Sequence, residues 1–152
     1  MTETSTTEPS AAPQGLDGWL ILPIIGTVVH PFILAYITVE TVIVAVDAAG
    51  LNSSMVAMLW IEIIVSGIFM LAYVYANVLL FRKNYLFPKM FIALAITGLM
   101  WTVMDILIAL NAFDIRLTSS DHRDIARQVW NCLIWVPYML VSKRVKNTFV
   151  ER

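Results

Sequence analysis

The chain has 152 residues, 59% of them hydrophobic and 14% charged, with a formal net charge of −1 and a mean hydropathy of +0.78. A soluble domain carries roughly 25% charged residues and, at about 150 residues, still exposes about a third of its chain surface to water, so this composition excludes an ordinary soluble domain and points to an integral membrane protein. A single cysteine excludes a disulfide scaffold and a multi-cysteine metal site, and a near-neutral chain without a basic face excludes nucleic-acid binding.

After Met1, residues 1–14 (MTETSTTEPSAAPQ) lack large apolar side chains and are read as a disordered tail, because they cannot bury enough surface to offset ordering entropy. The tail has no Lys or Arg and carries Glu3 and Glu8, unlike the basic start of a secretory signal. Residues 15–152 then read as one transmembrane domain.

Four apolar blocks follow. A spanning helix needs about 20 mostly apolar residues to cross ~30 Å of hydrocarbon. The first block covers about 19–46, interrupted by Pro23, His30, Pro31 and Glu40; the second covers about 55–81 and contains Glu62. The third, about 90–112, contains Asp105, and the fourth, about 125–141, holds Arg127 and Asn131. Open strands cannot cross lipid with unpaired backbone groups, and no block alternates like a barrel strand. The expected fold is therefore all-α, an integral membrane four-helix bundle with short connecting loops.

Lys and Arg on short flanks set orientation. With four spans, both termini share a side with the second connection. That side holds Arg82, Lys83, Lys89, Lys143, Arg144, Lys146 and Arg152, against Arg116, Arg123 and Arg127 on the other. Both termini are expected in the cytoplasm, with a basic C-terminal tail.

The polar residues fall at helical spacing. Gly26, His30, Ile33, Ile37 and Glu40 share a face of the first helix, and Glu62, Ser66, Tyr73 and Asn77 share one of the second. Gly98, Thr102, Asp105 and Ala109 form a stripe on the third, and Arg127, Asn131, Trp135, Tyr138 and Ser142 one on the fourth. Such faces turn toward one another when helices pack in lipid. Glu62 lies about 10 Å below the outer start of its helix, and Asp105 about 22 Å above the inner start of its own, close to the same level. Glu40 and Arg127 fall near the outer ends of theirs.

Glu40, Glu62, Asp105 and Arg127 are thus expected to converge in the outer half of the bundle. Two readings are open. One is an ion, proton or small-ligand site, since an intramembrane ionisable group is costly. The other is a structural salt bridge of Arg127 with Glu62 or Asp105 that fixes helix register. His30 and Asn131 are secondary candidates, with a neutral packing histidine as the alternative. Cys132 reads as a small apolar residue, and Trp19, Trp60 and Trp130 as interfacial anchors. No phosphate loop, nucleophile elbow or metalloprotease motif is present, and no cofactor or metal is called for.

The two ends are the most distinctive segments. Gly15-Leu16-Asp17-Gly18-Trp19 leads into a helix bent by Pro23, and the last helix ends at Trp135-Val136-Pro137-Tyr138 before a basic segment, Ser142-Lys143-Arg144-Val145-Lys146-Asn147-Thr148-Phe149. Lys143, Arg144 and Lys146 would reach anionic headgroups of the bilayer. Val145 and Phe149, four apart, would lay a short amphipathic turn in the interface.

The patterns GLxGWLxLP, FRKxxxFP (Phe81 to Pro88) and WxPYxxxSKRVKxTFV together resemble the YdgK-like family of small bacterial inner-membrane proteins, domain of unknown function 2569. The matching positions at the two ends are Gly15, Gly18, Trp19, Pro23, Trp135, Pro137, Tyr138, Ser142, Lys143, Arg144, Val145, Lys146, Thr148 and Phe149; Met139 stands where the pattern leads one to expect an aromatic. The resemblance implies a four-helix protein of the bacterial inner membrane and brings no catalytic residues. The function expected is a non-enzymatic accessory or assembly subunit of an envelope complex, with another membrane protein as partner. The alternative is a small transporter or ligand- or ion-responsive protein using the four charged residues.

Overall fold

The computed structural model describes residues 15–16, 18–47, 50–113 and 118–150; the tail expected to be disordered lies outside them. A short 3-10 turn, Gly18–Leu20, leads into α1 (Ile21–Val46), followed by α2 (Ser53–Phe81), α3 (Phe87–Ala112), α4 (Ser119–Val141) and α5 (Lys143–Thr148). At 1.5 Å per residue the first three are each about 39 Å or longer, enough for a hydrocarbon core of about 30 Å. By length and composition these three can cross a membrane. α4 carries Asp121, Arg123, Asp124 and Arg127 in its first turns and falls short of that apolarity.

Helix ends agree with the apolar blocks, and helix starts do not. α2 begins at Ser53 because the Asn52 side chain accepts the Met55 N–H at 2.8 Å. α4 begins six residues before its apolar run, at a capping box in which Thr118 and Asp121 satisfy each other's backbone N–H groups. The α2–α3 connection is equally local. Asn84 N–H bonds to the Leu79 carbonyl and Lys83 N–H to that of Leu80, with Lys83 in the left-handed region at φ 49°, the helix-terminating arrangement usually given to glycine.

α1 packs along α2 and α3 along α4, with a lighter α2–α3 contact. Pro31 interrupts α1 without breaking it. Proline has no N–H, so the Thr27 carbonyl four residues earlier loses its helical donor. Asn77 of α2 supplies one, donating Nδ2–H to Thr27 O at 3.1 Å. The helix defect thereby becomes a cross-link between α1 and α2. Cys132, expected to be inert, makes a weaker link, its thiol donating to the Ala95 carbonyl of α3 at 3.3 Å.

The buried core sits at one end of the helices. Leu20, Leu79, Leu80, Phe87, Phe91, Met139, Val145 and Phe149 form one cluster, drawn from the start of α1, the α2–α3 junction and the α4–α5 junction. Phe87 stacks on Phe149 with ring centroids 4.7 Å apart. Val145 and Phe149 are 1% and 4% exposed, which corrects the expected interfacial turn: the apolar face of α5 docks on the protein, because Phe87 and Leu80 offer it a better-packed surface than lipid.

The glycine motif joins the same end. The Thr148 hydroxyl accepts from Gly15 N–H at 3.1 Å and donates to Gly15 C=O at 3.2 Å, tying the chain's entry to its exit. Gly15 and Gly18 have φ of 97° and 63°, a region costly for residues with a Cβ. The Arg144 guanidinium packs over Gly18, 3.6 Å from where a Cβ would sit. Met139, in the place expected for an aromatic, is 3% exposed and fills the core without one.

Candidate functional site

Charge divides the described residues into two ends. Arg82, Lys83, Lys89, Lys143, Arg144 and Lys146 lie at the packed end, with no carboxylate there among the described residues. Glu40, Asp47, Glu62, Asp105, Asp121 and Asp124 lie toward the other, with Arg123 and Arg127.

The four residues expected to converge do so only in part. Glu62 and Asp105 share one cavity of about 200 Å³ between α1, α2 and α3. Helix phase brings them there: Glu62 is on the α2 face that meets α3, and Asp105 and Ala109, four apart, present one face of α3. The remaining walls are apolar, formed by Val44, Leu51, Met55, Met58, Leu59 and Phe113. Glu40 is exposed and outside the cavity. The bend-prone stretch around Pro31 makes the phase of α1 hard to extrapolate from Gly26 to Glu40.

Arg127 is the clearest departure. It bonds Asp124, one turn earlier on its own helix, at 2.9 Å, and neither Glu62 nor Asp105. Both side chains are largely exposed, so this local pair sets no register between helices. The nearer carboxylate took the guanidinium because α4 begins earlier than its apolar run, placing Asp124 inside the helix at i,i+3. Among the described residues, no salt bridge reaches Glu62 or Asp105.

The secondary candidates are brought together. His30 and Asn131 line a second, smaller cavity of about 80 Å³ with Thr27, Tyr73, Gln128 and Trp135. The His30 ring lies against Tyr73, centroids 4.2 Å apart. Asn77, immediately below, leaves its Oδ1 buried without a hydrogen-bond partner. Gln128 was not singled out in sequence; its signal is the i,i+3 spacing to Asn131. Among the described residues no group of three His, Cys, Asp or Glu is placed to hold a metal. Trp19, Trp60 and Trp130 are all exposed.

At the basic end, the residues of the terminal motifs are builders. Trp135 packs edge-on to Tyr138, centroids 5.8 Å apart, beside the buried cluster. Ser142 caps α5 by accepting the Val145 N–H. Pro23 is buried, and its carbonyl accepts the Thr27 hydroxyl at 2.7 Å. Pro137 lies inside α4.

One family matches the sequence, over residues 13–150, nearly the whole chain, and its description is "Protein of unknown function (DUF2569)". No curated protein and no solved structure matches.

Proposed function

The chain belongs to the family described as protein of unknown function (DUF2569), and from that premise we propose a non-enzymatic, ligand-responsive protein of the bacterial inner membrane, whose site is the Glu62–Asp105 cavity. The observation that carries the reading is that these two carboxyls share an apolar-walled cavity while Arg127, the expected counter-charge, is engaged by Asp124. Neighbouring carboxylates repel, and a cation between them removes the repulsion. Apolar walls with Met55, Met58 and Phe113 add affinity for an apolar body. The ligand class is a small organic cation, such as an ammonium on an aromatic or aliphatic group.

Four crossings and cytoplasmic termini are part of the proposal. α4 packs along α3, and its 23 residues reach about 35 Å. The six cations at the packed end favour placing that end inside. A reporter fused after residue 152 reads this directly; activity of an external-only reporter would overturn the orientation.

Isothermal titration of the purified protein with phenethylammonium tests the site. Binding is expected for wild type, with loss in Glu62→Gln/Asp105→Asn and no comparable binding of neutral 3-phenylpropanol. Equal binding of the alcohol, or binding indifferent to the double substitution, would overturn the reading. A stoichiometric membrane partner in a native pull-down would favour the accessory-subunit role instead.

A further inference from the structure

At the basic end a cleft of about 290 Å³ opens between the start of α3 and the α4–α5 junction. Lys89 stands on its α3 side and Lys146 on its α5 side, with Tyr85, Ile92 and Leu140 among the remaining walls. Both lysines are exposed. The Lys89 ammonium lies 5.5 Å from the centre of the Tyr85 ring, which holds it over the cleft. Ile92 is one turn beyond Lys89 along α3, and Leu140 precedes α5 near the end of α4. Cations therefore lie at the helix ends and apolar side chains deeper along them.

We propose that this cleft is a binding site for one anionic phospholipid, its phosphate between Lys89 and Lys146 and an acyl chain over Ile92 and Leu140. Charge complementarity selects the occupant. Among the described residues the cleft is lined by Lys89 and Lys146 and by no acidic side chain. Clefts of this kind, basic at the interface and apolar below, fit a phospholipid headgroup with its chain. A free phosphate would satisfy the lysines and leave the apolar floor uncovered.

The site also revises the expected role of the basic tail. Arg144 packs over Gly18, leaving Lys146 as the cation that faces the cleft together with a residue more than fifty positions earlier. Recognition is then built by the docking of α5 on α3 and is more than diffuse attraction to a charged surface. It depends on the membrane reading alone and is independent of the Glu62–Asp105 cavity.

Native mass spectrometry of the full chain, released from detergent after titration with dioleoylphosphatidylglycerol or dioleoylphosphatidylcholine, tests it. Wild type is expected to retain one phosphatidylglycerol in preference to phosphatidylcholine. Lys89→Gln/Lys146→Gln should lower that retention by about tenfold or more, and Lys89→Arg/Lys146→Arg should preserve it. Arg82→Gln/Lys83→Gln removes the same charge from the same end outside the cleft and should leave retention near wild type. Equal loss in that control would show diffuse attraction and overturn the site. Equal retention of phosphatidylcholine, or displacement of the lipid by millimolar inorganic phosphate, would overturn the lipid as occupant.

Discussion

The two ends of this molecule are built on opposite principles. At the basic end, segments separated by more than sixty residues are locked together: Gly15 to Thr148 by paired hydrogen bonds, Phe87 to Phe149 by ring contact, and eight apolar side chains in one buried cluster. At the acidic end, two carboxyls face a cavity, and the interactions that hold α4 are local ones, the Thr118–Asp121 box and the Asp124–Arg127 pair. A densely packed end specifies the fold. A loosely packed end holding costly charge is where stability has been given up, and such places are read as functional.

The largest effect should come from breaking the packed end. Phe149→Ala removes a buried ring from the cluster and should cost about 3–5 kcal/mol, read as a fall in thermal unfolding temperature in detergent. Glu62→Gln, at the other end, should leave that temperature near wild type. Thr148→Val keeps the shape of the side chain but strands both backbone groups of Gly15. It should cost about 1–3 kcal/mol, and a neutral result would show that the entry and exit segments are not fastened there.

A subtler test concerns the link at mid-helix. Asn77→Leu should destabilise by about 1 kcal/mol, since the Thr27 carbonyl is left without a donor by Pro31. Pro31→Ala restores a backbone N–H, so the Asn77 substitution should cost less in that background. Additive effects in this double-mutant cycle would refute the assignment.

The smallest effect sits at the start of α4. The Thr118 N–H and hydroxyl both donate to Asp121 Oδ2 at 2.7 Å and hold its carboxyl below the usual aspartate range. A depressed carboxylate contributes stability above its unfolded value, near 3.9, and loses it as pH falls through the folded value. Amide exchange in the first turn of α4 should therefore rise in acid, and Asp121→Asn should remove that pH dependence while leaving the basic end unchanged.

Much of this was legible in the sequence. Apolar run length located α1, α2 and α3, the three helices long and apolar enough to cross a membrane, since a crossing demands about 20 apolar residues whatever the packing; α4 showed only as its shorter apolar half. The terminal motifs located the family. Helix starts were less legible because polar first turns belong to helices through their caps, as Asn52 and Thr118 show. Within the candidate site, spacing placed Glu62 and Asp105 at one level, and both line one cavity. It misplaced Arg127, because a partner one turn away competes with any partner across the bundle, and Glu40, because α1 runs on past Pro31. The docking of α5 was beyond reach: Val145 and Phe149 present the same pattern to lipid and to a protein surface, and Phe87 decides between them.

The division of labour rests on one comparison, thermal unfolding of Glu62→Gln/Asp105→Asn beside wild type, each with and without phenethylammonium. The expected result is equal unfolding temperatures without the cation, and a ligand-induced rise in wild type alone, since a ligand stabilises only the state that binds it. A double variant that is already strongly destabilised without ligand would contradict the account, because the two carboxyls would then be holding the helices together.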